Sequence, residues 1–235
     1  MSKIEGQISM EEMLAKDTVE IPLHEKNEEK IILHEDTIAR DGIQKFLTSV
    51  NLETFEKVMG LTETIKNRII FLGDIEEETG SSVEQIIRFF NTYDDEQGYE
   101  GEDRKPIKLL INSGGGLITE TFTMIDAIER SETPVDTYNL GCAYSGGFFV
   151  FIAGRKRYAS KRSSFLFHEG SGGFSGDAGK FQNFADYYKK QRDTLKDLCM
   201  TYTKITPEEY AKHQNEDWWF DAKEALELGI ADEIY

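Results

Sequence analysis

The sequence predicts an α/β fold, with a mainly parallel sheet that right-handed crossovers wind into a coil of βαβ units. Three observations lead there. From Thr62 onward, short apolar runs alternate with amphipathic stretches of helical spacing. Two of those runs, in IKLLINSGGG (107–116) and VDTYNLGCAYSGG (135–147), end in glycine-rich turns, and each turn opens a helix. In parallel α/β sheets such turns gather at the carboxyl ends of the strands, where reactive groups sit.

Taken in order, residues 1–60 form an N-terminal appendage. Ile31, Ile32 and Leu33 have the character of an edge strand, Asp41-Gly42 signals a turn, and Phe46, Val50 and Phe55 recur at helical spacing. The main domain, 61–235, opens with a short buried strand over 68–73 that a glycine stops. Ser81 or Ser82 can cap a helix whose apolar face is Val83, Ile86, Ile87 and Phe90. The stretch DDEQGYEGED (94–103) is charged and contains two glycines, so it reads as an exposed loop.

A strand over 108–111 precedes a helix over 119–130 with Phe122, Ile125 and Ile128 turned inward. Pro134 restarts the chain extended, giving a strand over 135–140 and then an apolar, buried helix over 145–153. Short strands follow at 157–159 and 164–167, the second ending at His168. The glycine-rich stretch 170–179 has no core of its own, and a long helix runs from about Lys180 to Thr203. Pro207 sits at the first position of the next helix, and Asp221 with Glu224 makes a capping box for the last one. Gly229 ends that helix, and Ile230 begins a short terminal strand.

The composition narrows the function. Forty-four acidic against 27 basic residues give a formal charge of −17. That is the wrong sign for nucleic acid or for an anionic membrane surface. The first residues carry charges where a secretory signal needs an apolar block, and no apolar run approaches the ~18 residues of a membrane span. Two cysteines, Cys142 and Cys199, make neither a disulfide framework nor a zinc spacing. A cytoplasmic protein is expected.

One serine stands out chemically. Ser145 lies in the turn Tyr144-Ser145-Gly146-Gly147, but serine is a weak nucleophile unless a base takes its proton and a third group orients that base. Of the four histidines (His24, His34, His168 and His213) His168 alone ends an apolar strand at the carboxyl edge of the sheet. Asp217, Glu216 and Asp221 are the acids in reach on pattern, although Asp221 is better used as a helix cap. Gly115, Gly116 and Gly146 can present backbone N–H donors to an oxyanion. Position alone leaves the plainer alternative open, in which the serine and glycines form turns and the histidine is a hydrogen-bonded structural residue.

The segments INSGGG, AYSGG, SSFLFHEG and EDWWFDAKEALELGIADEIY resemble, in order, four signatures of the ClpP family of caseinolytic peptidases. These are its Asn-Ser-Pro-Gly-Gly turn, its Ala-Ser-Met-Gly serine turn, its His-Gln-Pro strand end, and its closing Ala-x-Glu-Ala-x-x-x-Gly segment. The resemblance covers roughly residues 64–235. It implies a ClpP/crotonase-like coil with a protruding handle strand and long helix, about 169–203. It also implies Ser145 as nucleophile, His168 as general base, Asp217 as the orienting acid, and Gly115 and Gly146 as oxyanion donors.

The same resemblance implies stacked rings, usually two heptamers, that enclose the sites in a chamber. It implies polypeptide substrates, a ring-shaped AAA+ unfoldase as partner, and hydrolysis that needs no metal or nucleotide cofactor. The departures are Gly114 for proline, Gly146 for methionine, and Glu169-Gly170 for Gln-Pro. Glu169 favours an imidazolium if it faces His168, and does not if it points to solvent. The Ser-Gly-Gly-Phe-Phe order is also similar to the serine turn of signal peptide peptidase A. There a lysine serves as base, here Lys189, Lys190 or Lys196. A crotonase-like acyl-CoA enzyme and a catalytically silent ring subunit complete the alternatives.

Overall fold

The computed structural model describes residues 18–22, 30–34, 60, 64–171, 173 and 175–235. The chain divides into two compact units, 1–68 and 69–235. In the first, strands β1 (Thr18–Pro22) and β2 (Lys30–His34) pair antiparallel, which places the Ile31-Ile32-Leu33 run in a strand. The expected turn at Asp41 and the helical spacing of 43–59 lie outside the described residues.

The second unit is built on a seven-stranded sheet. Its elements in chain order are β3 (Ile69–Leu72), α1 (Thr79–Gln97), β4 (Ile107–Ser113), α2 (Ile118–Arg130), β5 (Val135–Tyr144) and α3 (Gly146–Ile152). They are followed by β6 (Arg157–Ala159), β7 (Ser164–Phe167), α4 (Ala178–Tyr202), α5 (Pro207–His213), β8 (Trp218–Asp221), α6 (Ala222–Glu227) and β9 (Glu233–Ile234). The path β3-β4-β5-β6-β9 is parallel throughout, so the expected α/β class with a mainly parallel sheet is what the chain adopts.

β5 is the branch point. Its first half, Thr137 to Asn139, pairs with β6, and its second half, Cys142 to Tyr144, pairs with β7. β7 in turn pairs antiparallel with β8. The apolar helix α3 is buried along its whole length, and Phe148, Phe149 and Phe151 meet Phe165, Phe167 and Phe220 in a continuous aromatic core. Each such ring removed from water contributes about 1.5–3 kcal/mol. This core underlies the ends of β5 and β7.

Two boundaries differ from expectation. α1 runs on to Gln97, so 94–103 is not wholly a loop. Asp94 is fully buried because Thr133 Oγ1 donates to its Oδ2 at 2.7 Å, and Arg104 beside it pairs with Asp95 and Glu132. Only from Asp95 to Asp103 is the stretch exposed. The terminal strand is Glu233–Ile234, while Ile230 and Ala231 bond back to Ala225 at the end of α6. Residues 172 and 174 of the expected handle lie outside the described set, and the long handle helix is α4.

Candidate active site

β7 gathers the candidate residues through its two pairings. It runs parallel to β5 with Tyr144 opposite Leu166, and Ser145 N–H continues the ladder to Leu166 O at 2.9 Å. It runs antiparallel to β8 with Phe167 opposite Trp218, so the next positions out, His168 and Asp217, emerge side by side. Three chain ends thereby meet at one edge of the sheet.

His168 Nε2 is 2.6 Å from Ser145 Oγ. On the other side of the ring, His168 Nδ1 is 3.5 Å from Asp217 Oδ1. The imidazole is mostly shielded, at 28% exposure, whereas the carboxylate is open at 60%. Ser145 has φ 52° and ψ −120°, a strained conformation for a residue with a Cβ. That kink lets the chain turn from β5 straight into α3, leaving the hydroxyl at the apex facing the imidazole. A carboxylate at Nδ1 favours the tautomer protonated there, which frees Nε2 to accept from the serine hydroxyl. An arrangement of this kind can generate an alkoxide-like nucleophile and store its proton.

The glycine turn after β4 separates its three members. Gly114 N–H donates to Asp74 Oδ1 at 2.7 Å, and Gly115 N–H donates to Ser113 Oγ at 3.0 Å. Gly115 O accepts from Ile75 N–H and Leu117 N–H donates to Ile75 O, so Gly116 between them directs its own N–H to the other side. A Cβ on Gly116 would lie 2.0 Å from Ile75 O, which only glycine avoids. Gly116 and Gly146, not Gly115, share the cavity with Ser145. The amide of Gly115, the donor expected from the sequence, already has an acceptor in the turn.

That cavity holds about 400 Å³ and is walled on its apolar side by Leu117, Ile118, Phe149 and Leu195. His168 and Ser145 also line it, together with Gly170, Ser171 and Tyr188. The lysines considered as an alternative base do not line it. Lys189, Lys190 and Lys196 are exposed, with Lys190 on a separate groove between α2 and α4 and Lys196 over the ring of Tyr210. Glu216 faces His213, and Asp221 caps α6 by accepting from the N–H groups of Lys223 and Glu224.

Glu169 behaves as neither sequence expectation allows. Its side chain is only 7% exposed, and its carboxylate is held by Arg192 and by the Tyr210 hydroxyl at 2.7 Å. Burial pushes the Tyr210 phenol up to about 12, so it remains a donor. The period of two along 165, 167 and 169 carried the signal, since Phe165 and Phe167 are core residues and Glu169 continues their row.

Residues 54–235 match the sequence profile of the family described as Clp protease. The ATP-dependent Clp protease proteolytic subunit 2 of Cutibacterium acnes is 31% identical over 184 residues, covering 75% of this chain and 83% of that protein.

Proposed function

From the premise that this chain belongs to the Clp protease family and is a peptidase of the ClpP type, we propose that it cleaves peptide bonds with Ser145, His168 and Asp217. Ser145 Oγ attacks the scissile carbonyl while His168 Nε2 takes its proton. Asp217 holds the imidazole tautomer and offsets the charge that develops on the ring. The N–H groups of Gly146 and Gly116 receive the oxyanion, Gly116 taking the part expected of Gly115. His168 then gives its proton to the leaving amine, and water resolves the acyl-enzyme by the reverse proton path. The observation that carries this reading is the 2.6 Å approach of His168 Nε2 to Ser145 Oγ.

The apolar wall of the cavity suits an aliphatic or aromatic side chain on the residue before the scissile bond. Extended substrate pairs with the backbone near Gly170 and Ser171, by strand addition. The working form is a stack of two rings, each a heptamer, with the sites facing an inner chamber. A ring-shaped AAA+ unfoldase feeds it with folded substrates. The name of the Cutibacterium acnes relative, a proteolytic subunit of an ATP-dependent protease, supports that division of labour. Residues 1–60 are a separate appendage in this reading. The location is the cytoplasm, and among the described residues no helix is long and apolar enough to cross a membrane.

The test is hydrolysis of a short fluorogenic peptide by Ser145→Ala, alongside labelling of the unaltered protein by a fluorophosphonate. Loss of hydrolysis and labelling at Ser145 are expected. Full activity of Ser145→Ala removes the serine mechanism. Labelling that survives His168→Ala but disappears on substitution of Lys189, Lys190 or Lys196 moves the base to a lysine.

A further inference from the structure

His168 is the first residue beyond the four-residue strand β7, and among the described residues its side chain has Ser145 and Asp217 as polar partners. Its two neighbours in the chain are held more firmly. Phe167 is fully buried, with its ring 5.3 Å from that of Tyr210 in an edge-on contact. Glu169 receives the hydroxyl of the same Tyr210 on Oε1, and Arg192 closes on Oε2. One tyrosine of α5 therefore grips both residues that flank the imidazole.

The long helix α4 supplies the other half of the grip. Tyr188, Arg192 and Lys196 are spaced four apart and so lie on one face. Tyr188 OH donates to Glu169 O at 3.4 Å, Arg192 meets the Glu169 carboxylate, and Lys196 sits 5.6 Å from the centre of the Tyr210 ring. Gly170, with φ 81°, then turns the chain away. A carboxylate this buried needs its cation, and charge-assisted pairing through a planar guanidinium fixes direction as well as distance.

We propose that Glu169, through Arg192 and Tyr210, is a positioning residue for the peptidase reaction. It fixes the segment from which His168 reaches Ser145, and so makes the alignment of the base depend on the seating of α4. This rests on the reading of His168 as the general base. Glu169 touches no reacting atom. Its effect passes through the backbone of residues 167–169, where a displacement of about 1 Å can cost on the order of 100-fold in rate.

The experiment measures kcat and KM on a short fluorogenic peptide, and the rate of Ser145 acylation by a fluorophosphonate, in the full chain. The variants are Arg192→Met, Arg192→Lys and Tyr210→Phe, with Ser145→Ala as reference. Arg192→Met is expected to lower kcat and the acylation rate by about 100-fold with KM within about twofold, and Arg192→Lys to regain about a tenth or more of the rate. Tyr210→Phe keeps the ring on Phe167 and removes one oxygen. It is expected to lose about tenfold, and it decides the matter if Arg192→Met does not fold. Wild-type kcat in Tyr210→Phe and in any folded Arg192→Met, with Ser145→Ala inactive, overturns the positioning role alone. A loss confined to KM overturns it as well. Activity in Ser145→Ala instead sinks the underlying mechanism.

Discussion

The hydroxyl of Thr121 fills the place that a side chain on Gly146 would need. A Cβ there would stand 2.5 Å from Thr121 Oγ1 and 3.1 Å from Ile75 Cδ1. The hydroxyl is itself fixed, donating to Leu117 O at 3.0 Å. Gly146→Met, which brings in the residue type of the ClpP signature, is therefore expected to strain the turn by about 1–3 kcal/mol. Peptide kcat/KM is expected to fall by about tenfold or more, since 1.4 kcal/mol is a factor of ten. Adding Thr121→Gly should return much of the loss. Independent, additive effects in the double-mutant cycle would refute the contact as the cause.

Asp217 is an open carboxylate at 3.5 Å from the imidazole, so water competes with it for Nδ1–H. Replacing a closed triad acid by its amide costs about 10⁴-fold in kcat. Asp217→Asn should cost less, on the order of 10–100-fold, because solvent already takes part of its role. Steady-state kinetics of the variant checks this. An unchanged kcat would remove Asp217 from the proton path.

The strand-and-helix order beyond Thr62 was legible because each element carries its own pattern. The run LFH, for example, shows both the buried strand and the residue that leaves it. What stayed hidden depends on partners far along the chain. Asp94 looked like a solvated loop residue because nothing near it announces Thr133 and Arg104, which let α1 continue through an acidic stretch. Glu169 could be assigned to the imidazole or to solvent, but not to Arg192 and Tyr210 on two later helices. Among the three glycines of the turn, Gly116 is told from Gly115 by the bridge to Ile75 and by the Ser113 hydroxyl, neither of which the spacing announces.

The two thiols should report opposite environments. Cys199 is fully buried on the core-facing side of α4, and burial pushes its thiol up to about 11. Cys142 is half-exposed and lies against Asn112 Oδ1, with its thiol raised to a lesser degree, mainly by burial. At pH 8 a disulfide reagent is expected to modify Cys142 in the native protein, and Cys199 only after unfolding. The raised folded-state value of Cys199 favours the neutral thiol, so its contribution to stability is complete below about pH 9 and is lost as pH rises toward about 11. Chemical denaturation across that window should show a steeper alkaline loss in the native sequence than in Cys199→Ala. Equal slopes would mean that the thiol ionises alike in both states.

Asp74 takes over a task that the ClpP signature gives to a ring. Where that signature has proline in the turn, this chain has Gly114, whose free N–H donates to Asp74 Oδ1 at 2.7 Å. The next residue, Ile75, bonds Gly115 O and Leu117 N, so 74–75 clamps the turn at three points around Gly116. Asp74→Ala leaves Gly114 free to adopt other backbone conformations, and Gly114→Pro removes the donor while restricting φ. Each single change should lower kcat/KM by about 2- to 10-fold, the range that one exposed, charge-assisted bond supports. The informative comparison is the pair together. Once proline holds the turn, losing the carboxylate should cost nothing more, so Asp74→Ala/Gly114→Pro should match Gly114→Pro within about 0.5 kcal/mol. If the double variant instead falls by the product of both losses, Asp74 acts on something other than Gly114, and the clamp has been misread.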